Sequence, residues 1–154
     1  MGPPPFPSFL EAHREGVYRF LVALVGREEA DDCFQETFLA ALRAYPRLRD
    51  GANMRAWVLA IAHRKAMDAH RSRVRRPRPV AAIPDGATDE GGGVDPALWV
   101  AVAALPAGQR GAVVLRYVGD LTYRDVAAAL GCTEAAARQR VREGLRNLRE
   151  VVER

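Results

Sequence analysis

Basic and amide side chains lie close together near the carboxyl end of the chain. This group contains Arg124, Arg138, Gln139, Arg140 and Arg142. Guanidinium groups form bidentate hydrogen bonds with phosphates and with guanine edges, and a glutamine amide pairs in the same way with adenine. The chemistry available here is therefore polyanion binding, with base recognition as its specific form. The alternative is an arginine-rich helix face that only meets solvent.

Residues 121–148 must position these side chains. Thr122 opens a capping-box pattern, Gly131 stands where a helix ends with a left-handed residue, and Thr133 can cap a second helix. Apolar residues recur every three or four positions along the second helix, at Ala137, Val141, Leu145, Leu148 and Val152. Two helices across a tight turn, the second one basic, predict a helix-turn-helix whose recognition helix spans residues 133–149. An ordinary helical hairpin is the alternative.

Positive charge is concentrated in one further part of the chain. The net charge is +4 over 154 residues, but residues 51–80 carry eight basic residues and one acidic residue. Residues 81–100 carry four acidic residues and no basic one. Such a distribution is typical of a polyanion partner. Lys65 is the one lysine in the sequence, and every other Lys or Arg position is arginine. Because a GC-rich genome produces the same bias, the abundance of arginine alone is weak evidence for a polyanion partner.

Helical periodicity accounts for the first half of the chain. Ser8 is predicted to cap a first helix that ends at Gly26, and a second helix begins near Glu28 and stops at Pro46. Asn53 is a predicted cap for a third helix, whose far half is densely basic. The third helix turns Met54, Trp57, Val58 and Ile61 inward.

The helical pattern stops at residues 77–94, which contain three prolines and four glycines. This composition predicts a flexible linker. Asp95 and Pro96 then restart a helix, and a further helix runs from about Gly108 to Tyr117, with Val113, Val114 and Tyr117 as its apolar residues. No segment alternates with period two. We therefore predict an all-α protein with two small helical domains, residues 1–76 and 96–154, joined by a flexible linker at residues 77–95.

Other classes of protein are disfavoured. Cys33 and Cys132 lie among apolar residues and are interpreted as buried reduced thiols, and no metal-ligand spacing occurs. His13, His63 and His70 are isolated on helices and are interpreted as surface or DNA-facing side chains. We therefore expect no enzymatic activity, no cofactor and no metal. The sequence has neither a signal peptide nor a membrane span, which predicts a cytoplasmic protein without membrane insertion.

Three blocks resemble a known family. The blocks ADDCFQETFLAAL, residues 30–42, and RAWVLAIAHRKAMDAHR, residues 55–71, resemble the second conserved region of bacterial sigma factors. Residues 105–131, LPAGQRGAVVLRYVGDLTYRDVAAALG, resemble the fourth region. A short linker in place of the third region is similar to extracytoplasmic-function (ECF) sigma factors. The resemblance implies a protein that binds core RNA polymerase and directs promoter recognition, DNA melting and initiation. A helix-turn-helix regulator that does not bind polymerase is the alternative, but it leaves the first two blocks unexplained.

The resemblance also implies partners. Core RNA polymerase would be bound through its β′ clamp helices and β flap, and promoter DNA and an anti-sigma factor complete the expected set. The residues implied to dock on the clamp helices are Asp31, Asp32, Gln35 and Glu36. An acidic surface in a basic protein fits a basic partner better than DNA. These acids also favour the start of their own helix, and both roles can hold.

The same resemblance implies two DNA sites. The minus-10 element would be opened and bound by Asp50, Asn53, Arg64, Lys65, Arg71 and Arg75. Trp57 could stack on an unpaired base, but a core role is favoured. The minus-35 element would be recognised by Arg138, Gln139 and Arg142, while Arg124 and Arg140 hold phosphates. Glu143 stands where the family commonly has a basic residue, so the promoter sequence cannot be carried over.

Overall fold

Two helical bundles make up the described part of the chain. The structure, a computed structural model, describes residues 2–49, 51–75 and 96–153, without the side chains of residues 73–75. The N-terminal bundle contains α1 (Phe6–Val25), α2 (Arg27–Ala44), a 3₁₀ turn (Tyr45–Arg47) and α3 (Met54–Arg75). The C-terminal bundle contains α4 (Pro96–Ala104), α5 (Ala107–Tyr117), α6 (Tyr123–Leu130) and α7 (Glu134–Val152). Every regular element within these ranges is helical, which confirms the predicted fold class; the predicted linker lies outside them.

The starts of α1 and α3 show how local chemistry defines a helix. The prediction that Ser8 caps α1 was wrong. The helix begins at Phe6, after Pro5, and the Ser8 amide donates to the Pro5 carbonyl at 3.0 Å. The first turn of a helix tolerates proline because its amides have no intrahelical partner, so Pro7 does not delay the start. Asn53 as the cap of α3 is confirmed, since its Oδ1 accepts from the Ala56 amide at 3.1 Å.

Aromatic rings fill one end of the N-terminal bundle. Phe9 is 1% exposed and lies 6.3 Å from Phe38, 5.1 Å from Tyr45 and 5.7 Å from Trp57, measured between ring centroids. Edge-to-face and tilted contacts at these distances add to the free energy gained from burial alone. Trp57 is half-buried within this cluster, which supports its core interpretation.

The C-terminal bundle buries most of the predicted apolar stripe of α7. Ala137, Val141 and Leu148 are buried there, and Leu145 is half-buried. Val152, the last residue of α7, is 65% exposed, so the buried part of the stripe ends before it. Tyr117 was likewise predicted as an apolar residue of its helix, yet it is 58% exposed at the end of α5.

The two bundles pack directly on each other. Helix α3 contacts α6, while α1 contacts α4 and α5. His63 of α3 is 8% exposed, and its Nε2 lies 2.8 Å from the point where a Cβ at Gly111 would stand. The interpretation of His63 as a surface or DNA-facing side chain was therefore wrong, because its periodic position faces the second bundle. A glycine at position 111 is what allows the histidine ring to fit there.

Candidate nucleic-acid interface

Side-chain caps and a left-handed glycine form the turn of the helix-turn-helix. Thr122 Oγ1 accepts from the Asp125 amide at 3.2 Å, and Thr133 Oγ1 accepts from the Ala136 amide at 3.0 Å. Gly131 between them has φ of 70°, the left-handed conformation that ends α6. The predicted motif is confirmed, and these contacts set the angle at which α7 leaves the turn.

Helix α7 turns one side inward and a basic side outward. Gly144 allows the close packing, because a Cβ there would stand 2.6 Å from Val113 Cγ2 of α5. The side opposite the buried residues exposes Arg138, Gln139, Arg142, Arg146 and Arg149. A rigid helix with an arginine-rich outer face is suited to the major groove, which admits an α-helix.

Arg138 is held in place at the start of that face. Its Nη2 donates to Glu134 Oε1 at 2.7 Å, and its Cζ lies 4.9 Å from the ring centre of Tyr123 on α6. Arg116 of α5 lies over the same ring at 4.4 Å. Contacts of this kind restrict the rotamers of a long side chain, so less conformational entropy remains to be lost on binding DNA.

The remaining residues predicted for the minus-35 element occupy different environments. Arg124 on α6 and Arg142 on α7 are exposed, and Gln139 Nε2 donates to Glu143 Oε1 at 2.9 Å. Arg140 is half-buried, with its Cδ and Nε 4.0 Å from a Cβ built at Gly108 of α5. The structure thus brings Arg138, Gln139 and Arg142 to one outer face and turns Arg140 towards α5.

The residues predicted for the minus-10 element lie along α3 and the loop before it. Arg64 is exposed, Lys65 is half-buried and Arg71 is paired with Asp68. Arg64 and Arg71 line a cleft whose opposite wall is the end of α6. Asp50 lies outside the described residues, and so does the side chain of Arg75.

The loop and first turn of α3 contact the second bundle. Asn53 Nδ2 donates to Asp125 Oδ2 at 3.4 Å, and Arg55 Nη1 lies 3.6 Å from Asp120 Oδ2. Arg55 also donates to the carbonyl of Gly119 at 3.5 Å. Arg55 was not predicted as a site residue, because a contact across the bundles leaves no local pattern in the sequence. In this arrangement the amide of Asn53 already has a protein partner.

The acidic residues of α2 form a separate exposed surface. Asp31, Asp32, Gln35 and Glu36 are all exposed, as docking would require, and the buried Cys33 lies beneath them. Burial, and after it the neighbouring acids Glu29, Asp32 and Glu36, together raise the pKa of the Cys33 thiol to about 11. This cysteine therefore stays protonated and unreactive near neutral pH.

Two leucines extend the acidic surface and were missed. Leu39 is 49% exposed and Leu42 is 51% exposed. They follow Gln35 and Glu36 at helical spacing, the signal that could have found them. We name the set Asp31, Asp32, Gln35, Glu36, Leu39 and Leu42 the α2 surface.

No group of three or more His, Cys, Asp and Glu side chains in the described ranges could hold a metal ion. No helix in those ranges is long and apolar enough to cross a membrane.

Comparisons with known proteins agree with this geometry. Residues 9–76 match the family model of sigma-70 region 2, and residues 96–148 match that of sigma-70 region 4. The ECF RNA polymerase sigma factor SigC of Mycobacterium tuberculosis is 36% identical over 140 residues, covering 87% of this chain and 76% of the relative. SigD of the same species is 34% identical over 158 residues, covering 93% and 74%.

A solved structure has the same fold. The sigma factor RpoE of Bartonella quintana, crystallised with the anti-sigma factor NepR, superposes with a TM-score of 0.87 at 23% identity. The superposition covers 96% of each chain. With both conserved regions present in order, the chain belongs to the ECF family of RNA polymerase sigma factors, which act in transcription initiation.

Proposed function

We propose that this chain docks on the β′ clamp helices through the α2 surface and holds promoter DNA through α3 and α7. The observation that carries the proposal is a separation of charge: Asp31, Asp32 and Glu36 form an exposed acidic cluster on α2, and four exposed arginines lie on the outer face of α7. Polymerase and DNA can therefore bind at the same time. Complementary charge also steers each partner to its own surface.

Charge reversal on α2 tests the polymerase contact. Asp32→Arg with Glu36→Arg reverses two exposed charges on the α2 surface. We expect the affinity for core polymerase to fall by about tenfold or more, about 1.4 kcal/mol. Glu11→Arg with Glu15→Arg is the matched control, because these exposed acids have the same spacing on α1. Equal affinities for the α2 double variant and the control would show that the acids serve only the helix start.

The DNA contacts belong to two groups. Asn53, Arg64, Lys65 and Arg71, with Asp50 and Arg75, are proposed for the opened minus-10 element, where cations hold the backbone and polar groups hold an extruded base. Arg138, Gln139 and Arg142 are proposed for base edges in the minus-35 element, which their common outer face supports. Arg124 and Arg140 are proposed for phosphates, although Arg140 would first have to leave α5.

Domain division and further partners are also proposals. The segments 1–76 and 96–154 are proposed as the functional domains, and the limits of the two family matches support this division. An anti-sigma factor is proposed as a partner because a protein of the same fold was crystallised with one. The β flap is proposed as the polymerase contact of the C-terminal bundle. We propose a cytoplasmic location for the chain, because bacterial transcription takes place there. We also propose that it has no enzymatic activity of its own.

A further inference from the structure

Gln139 and Glu143 form a polar pair on the outer side of α7. Gln139 Nε2 donates to Glu143 Oε1 at 2.9 Å across one helical turn. Gln139 is exposed and Glu143 is half-buried. Arg138, which precedes Gln139 in the sequence, pairs with Glu134 instead. The carboxylate of Glu143 therefore orients an amide that faces solvent.

The position of the pair along α7 places it within reach of base edges. Each residue advances about 100° around a helix, so Gln139 stands nearly opposite the buried line of Ala137, Val141 and Gly144. Glu143 lies one turn farther on, near the middle of the 19-residue helix. In a helix-turn-helix, the N-terminal part of the second helix contacts the bases.

The hydrogen bond decides which groups the pair offers to DNA. An ionised carboxylate only accepts hydrogen bonds, and the Gln139 amide turns its NH₂ group towards that carboxylate. The bond uses one of the two N–H groups of the Gln139 amide, so that side chain keeps one donor and its carbonyl acceptor, whereas the second oxygen of Glu143 can only accept. In the major groove, adenine N6 and cytosine N4 are donors, whereas guanine and thymine present acceptors at the matching positions.

We propose that the Glu143 carboxylate, held in place by Gln139, acts as an acceptor that selects an amino base, adenine or cytosine, on the contacted strand of the minus-35 element. A guanine or thymine at that position would place its carbonyl oxygen against this carboxylate, an acceptor against an acceptor. This inference rests on the proposed minus-35 function of α7. It assigns a specificity role to Glu143.

A randomised minus-35 library bound by the full chain with core polymerase tests the proposal. The parent should prefer adenine or cytosine over guanine and thymine at one position. Glu143→Ala and the isosteric Glu143→Gln should reduce that preference by about tenfold, since one matched base contact is lost or made ambiguous. Glu143→Arg should favour guanine at the same position, because arginine pairs with its acceptors.

Glu150→Ala is the matched control for the loss of negative charge. Glu150 is an exposed acid seven residues farther along the same side of α7. Its removal should strengthen binding to all sequences slightly and leave base preference unchanged. If Glu143→Ala and Glu143→Gln behave like Glu150→Ala, Glu143 only repels phosphates and does not select a base. If the parent itself shows no preference across the minus-35 segment, the proposed function of α7 fails instead.

Discussion

Arg138 and Arg142 lie four residues apart on the outer face of α7, whereas Arg124 lies on α6. A bidentate contact to a base edge contributes roughly 1–3 kcal/mol of discrimination, while a phosphate contact contributes equally to every sequence. The difference between the two kinds of arginine is therefore measurable without a structure of the complex.

We expect Arg138→Ala and Arg142→Ala each to relax base preference at one minus-35 position. Arg124→Ala and Arg140→Ala should weaken binding to all sequences and lower the salt dependence of log K by about one unit each. The measurement is a randomised minus-35 library bound at two salt concentrations. Retained sequence preference in the Arg138 and Arg142 variants, with only affinity reduced, would contradict the assignment of base contacts.

His63 makes the packed arrangement sensitive to acid. Burial lowers the pKa of His63 below its usual 6.5, and Arg140 and Arg64 lower it further. Because the pKa is lower in the folded chain than in the unfolded one, His63 contributes stability that is fully present above pH 6.5. This stability is lost as the pH falls from 6.5 through the folded-state pKa.

We expect the urea midpoint to fall more between pH 7.5 and pH 5 in the parent than in His63→Gln, which cannot take up the proton. Comparing the two chains cancels most of the contribution of other groups, including His13, whose pKa is also lowered by burial and by Arg55. Identical pH profiles for the two proteins would mean that His63 does not titrate in this range.

Thr133, the N-cap of α7, stabilises the start of that helix. Thr133→Ala removes the hydrogen bond to the Ala136 amide and should lower the free energy of unfolding by about 1 kcal/mol. Thr133→Ser keeps the hydroxyl and should cost only a few tenths of a kcal/mol. Urea unfolding followed by circular dichroism measures both. A loss as large for serine as for alanine would show that the threonine methyl, not the cap, stabilises the turn.

Elements were predictable from sequence where the signal is local. Thr122, Gly131, Thr133 and Asn53 each act within four residues of themselves, so their roles follow from composition and spacing. The apolar stripe of α7 was found for the same reason. The prediction for the start of α1 was wrong because two rules compete there. A serine favours an N-cap, whereas prolines are tolerated inside the first turn of a helix.

Contacts between helices could not be predicted from the sequence. The pairing of Arg55 with Asp120 and the fit of His63 against Gly111 join residues that are far apart in the chain. Nothing in the local pattern marks either pair. The contact between Gln139 and Glu143 is different, because these residues lie four apart on one helix and their spacing already predicts that they are neighbours.

At the scale of the whole molecule, the packing of the bundles should control the shape of the free protein. A methyl group at Gly111 would meet His63 Nε2 at 2.8 Å, so Gly111→Ala should push the bundles apart. The same change favours α5 itself by about 0.5–1 kcal/mol, because alanine is the better helix former. We therefore expect separation without unfolding, seen as a larger radius of gyration in solution scattering with unchanged helical circular dichroism.

His63→Ala in the same chain makes room for the new methyl group and should return the radius of gyration towards the parental value. The single variant His63→Ala is the control for the loss of the ring. A Gly111→Ala chain as compact as the parent would contradict the account of how the bundles fit together. Because Asn53 contacts Asp125 across the bundles, separation should also increase the affinity for single-stranded minus-10 DNA.

Run-off transcription with purified core polymerase tests the central claim most directly. Genomic promoter fragments, including the one upstream of this chain's own gene, are transcribed with the parent and with the Asp32→Arg, Glu36→Arg variant. We predict transcripts from defined start sites that require both promoter elements and the parental chain, and a strong reduction with the variant. Binding of the chain to those fragments without any transcript above core polymerase alone would contradict this account and would indicate a helix-turn-helix regulator.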